Sequence, residues 1–192
     1  MNWKTLFNPF EKYSEYKLLL FGILFFILTP FVSYYTQNRM TSFMRFDRPE
    51  EVLTLKSSFL YCSISITSII LILYLIAVAF NRRSRFLDIT NTILVSNAIN
   101  IPILLLTHLI DVNKAFSSDG VNENFYQYII NLLFIIVITA IVISLVIYSI
   151  VLFFNGFKTA TNIKKLPQII LFVFIFFVSL MICQILIPQL KF

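Results

Sequence analysis

The sequence predicts an all-α integral membrane protein, a bundle of five transmembrane helices with short amphipathic interfacial segments. Three observations carry this expectation. The chain is 59% hydrophobic and 12% charged, with mean hydropathy +0.88. A water-soluble chain is roughly 45–50% apolar and about 25% charged, so charges this sparse cannot coat a surface in water. Five apolar runs, at about residues 18–35, 58–80, 87–110, 125–154 and 168–187, approach or exceed the roughly 20 residues that cross a bilayer. The 15 basic and 9 acidic residues lie at the ends and in the connections, with Asp88 just inside the first turn of a span. No second composition regime appears, which predicts a single transmembrane domain over residues 1–192.

The lead-in, residues 1–17, places Trp3, Phe7, Phe10, Tyr13 and Tyr16 at steps of three or four, interrupted at Asn8-Pro9. That stripe predicts an interfacial segment lying on the membrane. Span one follows too late and lacks a small-residue cleavage site, so it reads as a retained span rather than a signal peptide. Gly22 permits close helix approach within it, and Pro30 kinks or ends it. The loop over residues 36–57 is the longest mixed stretch. Met40, Phe43, Met44 and Phe46 among its charges predict a second surface helix, with Pro49 opening a helix into span two; a ligand-binding loop is the alternative. In span two, Ser58, Cys62, Ser65 and Ile69 share a face suited to close packing between helices, or to lining a polar path. Both cysteines, Cys62 and Cys183, fall inside apolar runs and read as buried free thiols. Span four is long enough to tilt or to emerge beyond the bilayer. The connections flanking it hold an Asp119-Gly120 turn signal and the basic run Lys158, Lys164, Lys165.

Five spans put the termini on opposite sides. One side collects nine basic residues and the other six, which predicts a cytoplasmic N-terminus and an exoplasmic C-terminus. Arg82, Arg83, Arg85, Lys158, Lys164 and Lys165 are the candidate lipid-headgroup contacts on the richer side. The net charge of +6 is distributed for orientation and lipid contact, so no nucleic-acid partner is expected.

Reaction chemistry has little to stand on. The chain has 1 histidine and 3 glycines. It holds no His-Glu-x-x-His helix, no Gly-x-Ser-x-Gly elbow and no phosphate-cradling glycine loop. No enzymatic activity, catalytic residue, metal site or cofactor is expected. Asp88 and His108 are the ionisable candidates for span three, at its opposite ends; Asp88 is expected to pair with Arg85 or to favour the helix start.

The amides are the most distinctive polar feature. Asn97 and Asn100 share a face of span three, with Pro102 freeing a backbone carbonyl nearby and His108 farther along. An amide in hydrocarbon is costly unless paired, so this candidate polar face should point into the bundle. There it either hydrogen-bonds to neighbouring elements or lines a route with Ser65 or Gln184, as in a small-solute transporter or permease subunit.

Several features taken together resemble a known family. Asn8-Pro9 precedes five spans, and Arg82-Arg83-Ser84-Arg85-Phe86 opens a span that contains Pro102. Span four ends in Asn155-Gly156-Phe157-Lys158, and a basic connection reaches Leu166-Pro167 before span five. This layout resembles bacterial members of the Yip family, named for eukaryotic proteins that interact with Ypt/Rab GTPases. The resemblance implies five transmembrane helices, a cytoplasmic N-terminus and a place in a bacterial inner membrane. It also implies the membrane-trafficking or membrane-shaping role of the eukaryotic members, and it carries over no catalytic residues. The Asp-Leu-x-Gly-Pro motif and long cytosolic region of those members do not precede span one here, so a Rab-type GTPase is not an expected partner. The expected function is that of a non-enzymatic scaffold or membrane-organising protein. Its expected partners are the lipid bilayer and either membrane proteins or further copies of itself.

Overall fold

Backbone polar groups have no water to bond in hydrocarbon, so apolar runs of this length close their hydrogen bonds internally as helices. The computed structural model describes residues 3–110, 125–163 and 165–190. The loop with the Asp119-Gly120 turn signal, and Lys164, lie outside the described residues. The elements run α1 (Trp3–Phe7), α2 (Glu15–Thr36), β1 (Arg39–Ser42), β2 (Arg45–Asp47), α3 (Leu55–Phe80), α4 (Phe86–Asn97), α5 (Asn100–His108), α6 (Phe125–Thr161) and α7 (Leu166–Leu186). Single 3-10 turns sit at Pro9–Glu11 and Ile187–Gln189. Five helices are long and apolar enough to span a membrane, with α4 and α5 together making the third.

Span three is the most enclosed of the five and span four the least. α4 presents Ile89 and residues 91–97 to the interior. Its seam with α2 is held by small and polar groups. Asn91 Nδ2 donates to the Glu15 carbonyl at 3.1 Å, and Asn97 Nδ2 donates to Thr29 Oγ1 at 3.2 Å. Between them Gly22 lies so close to Leu94 that an added Cβ would stand 2.6 Å from the Leu94 Cβ, as the reading of Gly22 as a close-approach residue requires. Pro30 does not end span one. α2 continues to Thr36, and the Pro30 carbonyl accepts from Ser58 Oγ on α3 at 2.7 Å.

Aromatic rings join α6 to α7. Phe157 stacks on Phe172 at 3.9 Å and Phe153 on Phe176 at 4.5 Å between ring centroids. The close approach of such π-faces supplements their area burial. α6 runs seven residues beyond the 154 predicted for span four, because Asn155-Gly156-Phe157 is absorbed into the helix. Gly156 is again the reason for a close contact: a Cβ there would meet Phe10 and Thr92 at 2.7 Å.

The expectation of a second surface helix in the first loop is wrong. β1 and β2 form an antiparallel hairpin instead, pairing Arg39 with Asp47, Met40 with Phe46, and Ser42 with Arg45. Met40, Phe43 and Met44 fall at i, i+3 and i+4, which imitates helical periodicity, while strands of 4 and 3 residues are too short to display a period of two. Span two begins at Leu55 rather than near Pro49, under a reciprocal Thr54–Ser57 capping box. Gln37, with φ of 53°, ends α2 in the left-handed region. Its side-chain oxygen accepts from the Leu53 backbone N–H at 2.9 Å and closes the base of the excursion.

Candidate functional site

β1 beyond Arg39 and the turn residue Phe43 are buried, while β2 is only partly covered and Arg45 is exposed. Met40 and Phe43 are 0% and 1% exposed, and Thr41 and Ser42 are equally covered. Two side chains from the spans hold it by its backbone. Ser65 Oγ on α3 donates to the Met40 carbonyl at 3.2 Å, and Asn100 Nδ2 on α5 donates to the Phe43 carbonyl at 2.9 Å. Ser65 is ten residues into α3 and Asn100 eight residues short of the end of α5. At about 1.5 Å per residue the hairpin tip therefore reaches roughly 12–15 Å below the helix ends, within the stretch of these helices that is long and apolar enough to cross a hydrocarbon core of about 30 Å. Non-helical backbone is tolerated at that depth only where protein covers it, and here four spans do. The Phe43 ring packs 5.6 Å from that of Phe153 on α6, and Arg45 donates to Gln184 Oε1 on α7 at 2.8 Å.

The two span-three amides belong to this arrangement. Asn100 Nδ2 also donates to Asn97 Oδ1 at 2.8 Å, so Asn97, Asn100, Thr29 and the hairpin tip form one connected network. Asn97 is 0% and Asn100 3% exposed. The polar face is spent on internal bonds, and neither amide lines either of the two clefts described below. Ser42 Oγ, at the same tip, finds no partner among the described residues; the hairpin is held through its main chain.

At its base, Arg39 makes a bidentate pair with Asp47, Nε to Oδ1 at 3.1 Å and Nη2 to Oδ2 at 3.0 Å, with its guanidinium 5.2 Å from the Tyr61 ring centre. The Asp47 carboxylate, then the Tyr61 hydroxyl, hold Arg39 in its charged form. A charged hydrogen-bonded pair contributes about 1.5–3 kcal/mol when shielded, discounted here because Asp47 is 35% exposed. We expect Arg39→Gln to destabilise the hairpin by about 1 kcal/mol, read as faster proteolysis of the following Arg48–Val52 segment with little change in the global melt.

The structure scatters the remaining candidates. His108 is exposed in the last turn of α5, its ring 5.5 Å from that of Tyr35, and stands apart from the amide network. Asp88 pairs with Arg85, as expected, at 3.1 Å. Arg85 is also bonded to Glu15, and the two carboxylates, Glu15 foremost, push its pKa up. Arg85 is thus engaged, whereas Arg82, Arg83, Lys158 and Lys165 stand exposed on the same side of the bundle. No group of three or more His, Cys, Asp or Glu comes together among the described residues.

Two clefts open beyond the network. One, of about 410 Å³, lies on the hairpin side among Arg39, Arg48, Glu51, Tyr61 and Pro188. The other, of about 680 Å³, lies on the basic side between the lead-in, α2, the α4–α5 junction and α6. It exists because the lead-in folds back along α6. Asn155 Nδ2 donates to the Phe7 carbonyl at 2.9 Å, Tyr148 Oη donates to the Leu6 carbonyl at 3.0 Å, and the Phe7 and Tyr148 rings meet edge to face at 5.8 Å. Sequence reasoning passed over Lys12 and Lys17 at its rim, because the fold-back depends on residues about 140 positions away. The aromatic stripe of the lead-in was the available signal.

A family model described as the Yip1 domain matches residues 3–187. No curated protein and no solved structure matches the chain.

Proposed function

The chain belongs to the Yip1 domain family, and from that premise we propose that it is a non-enzymatic scaffold or membrane-organising protein that acts through lateral contacts with lipid or with other membrane proteins. In this reading it sits in a bacterial inner membrane with its N-terminus cytoplasmic and its C-terminus exoplasmic. The observation that supports it best is the closed amide face of span three: Asn97 and Asn100 are buried and bonded to Thr29, to each other and to the Phe43 carbonyl of the hairpin. What remains for partners is the outside. α6 and α7 present apolar side chains outward, Phe134 and Phe174 among them, and the basic connections present the exposed cations Arg82, Arg83, Lys158 and Lys165.

The test combines topology with contact mapping in cells. Arg83→Cys should react with an impermeant maleimide only after permeabilisation, and Val52→Cys, at a position 84% exposed, should react in intact cells. The native thiols Cys62 and Cys183 are buried and give little background. A photo-crosslinking residue at Phe134 or Phe174 should give discrete protein adducts. Absence of any adduct, together with no lipid preference in the purified protein, would overturn the proposal.

A further inference from the structure

We propose that the basic-side cleft binds one anionic glycerophospholipid from the adjacent leaflet, with an acyl chain in the groove and the phosphate on Lys12 and Lys17. The groove is apolar along its length, walled by Leu18 and Phe21 of α2, Val95 and Ile99 of span three, and Tyr148 and Leu152 of α6. Asn91 of α4 meets the Glu15 carbonyl at the start of α2, level with the rim, and Ile99 lies eight residues beyond it. The groove therefore reaches about 12 Å from the rim at 1.5 Å per residue, most of the half-thickness of a hydrocarbon core of about 30 Å. Its volume of about 680 Å³ is in the range of small-molecule sites, roughly 300–1,000 Å³.

The polar groups divide as a phospholipid requires. The Tyr148 hydroxyl, deep in the groove, is spent on the Leu6 carbonyl, so the interior asks for nothing polar. Both lysines are at the mouth and exposed, and neither is in an ion pair among the described residues. Of the nearby carboxylates, Glu15 is bound to Arg85 and Glu11 is exposed to solvent. Two free ammonium groups over an apolar slot complement a phosphate joined to a hydrocarbon chain. This inference rests on the lateral-contact reading and narrows one of those contacts to a lipid class.

The test uses the full-length protein, stripped of lipid in mild detergent and mixed with equal amounts of phosphatidylglycerol and phosphatidylcholine bearing identical chains. Bound lipid is read by native mass spectrometry. We expect one retained phosphatidylglycerol per chain, preferred about thirtyfold, as two interfacial lysines imply. Lys12→Ser/Lys17→Ser should abolish the preference while a lipid is still retained. Ile99→Trp, which fills the slot, should abolish retention, and Lys56→Ser, exposed at the opposite end of the bundle, should change neither. Free inorganic phosphate should not displace the lipid.

Equal retention of both lipids by the native protein overturns the proposal. So does a preference that survives the Lys12→Ser/Lys17→Ser substitutions, one that is lost with Lys56→Ser, or displacement by phosphate alone. The lysine pair is solvent-exposed and decides the matter even if Ile99→Trp does not fold. Lost lipid preference with the Phe134 and Phe174 crosslinks intact removes the groove and leaves the lateral-contact reading standing.

Discussion

Asn100→Leu should lower stability by about 2–4 kcal/mol, more than any other single change within the amide network. The side chain of Asn100 donates to two acceptors, the Phe43 carbonyl and Asn97 Oδ1. Both are enclosed, and neither gains water when the amide is removed. A buried acceptor left unpaired costs about 1–3 kcal/mol. Leucine restores apolar volume but nothing that donates. Asn97→Leu is expected to be milder, about 1–2 kcal/mol, because Asn100 keeps its bond to Phe43, and Thr29 keeps its own donation to the Phe25 carbonyl. The ordering is the informative result. Thermal denaturation of the detergent-solubilised protein, followed by loss of the monodisperse peak in size-exclusion chromatography, should place Asn100→Leu well below Asn97→Leu and both below the native chain. Equal melts for all three would mean that the hairpin is not held by this amide.

Gly22→Ala should be nearly as damaging, by about 2–3 kcal/mol, for a steric reason. The new Cβ would stand 2.6 Å from the Leu94 Cβ, and a Cβ cannot rotate away as the end of a long side chain can. α2 and α4 must separate, which stretches the bonds on either side of the clash, Asn91 to Glu15 and Asn97 to Thr29. Lipid offers no hydrophobic drive to hold two helices together, so close packing and such bonds carry the association. The mechanism makes a discriminating demand on second-site changes. Leu94→Ala leaves the offending Cβ in place and should not rescue Gly22→Ala. Leu94→Gly removes it, so Gly22→Ala should cost little further stability in a Leu94→Gly background, which itself carries the loss of the buried leucine and the roughly 1 kcal/mol that glycine costs in a helix. Rescue by Leu94→Ala would assign the damage to the leucine side-chain tip rather than to backbone approach.

Both changes act on features that the sequence shows unevenly. The five spans are legible because hydrocarbon accepts no unpaired backbone, so each crossing announces itself as an apolar run. Gly22 is legible for the same reason, as a small residue inside such a run. That Asn97 and Asn100 point inward also follows from desolvation alone. Their partner does not. Asn100 bonds to a carbonyl 57 residues away, on a hairpin whose side chains imitate a helix and whose turn, Phe43-Met44, carries no glycine or asparagine. A backbone carbonyl has no residue-type signature, so no pattern in the sequence could nominate it. Lys12 and Lys17 escaped notice because they acquire a groove only when Asn155 and Tyr148 fold the lead-in onto span four.

Burial of the hairpin tip within the bundle is the claim on which the closed amide face depends, and Ser42 gives the most direct access to it. Its hydroxyl is 0% exposed and has no hydrogen-bond partner among the described residues, so Ser42→Cys is close to isosteric and breaks nothing. Proteoliposomes carrying this variant should be treated with a small, membrane-permeant thiosulfonate, with the equally enclosed Cys62 as internal reference. We predict that Cys at position 42 modifies no faster than Cys62 in the folded protein, and that both react fully once the chain is unfolded in detergent. Rapid modification of position 42 in the folded protein, with Cys62 still protected, would show water at the hairpin tip. The amides of span three would then line an open route instead of a sealed contact.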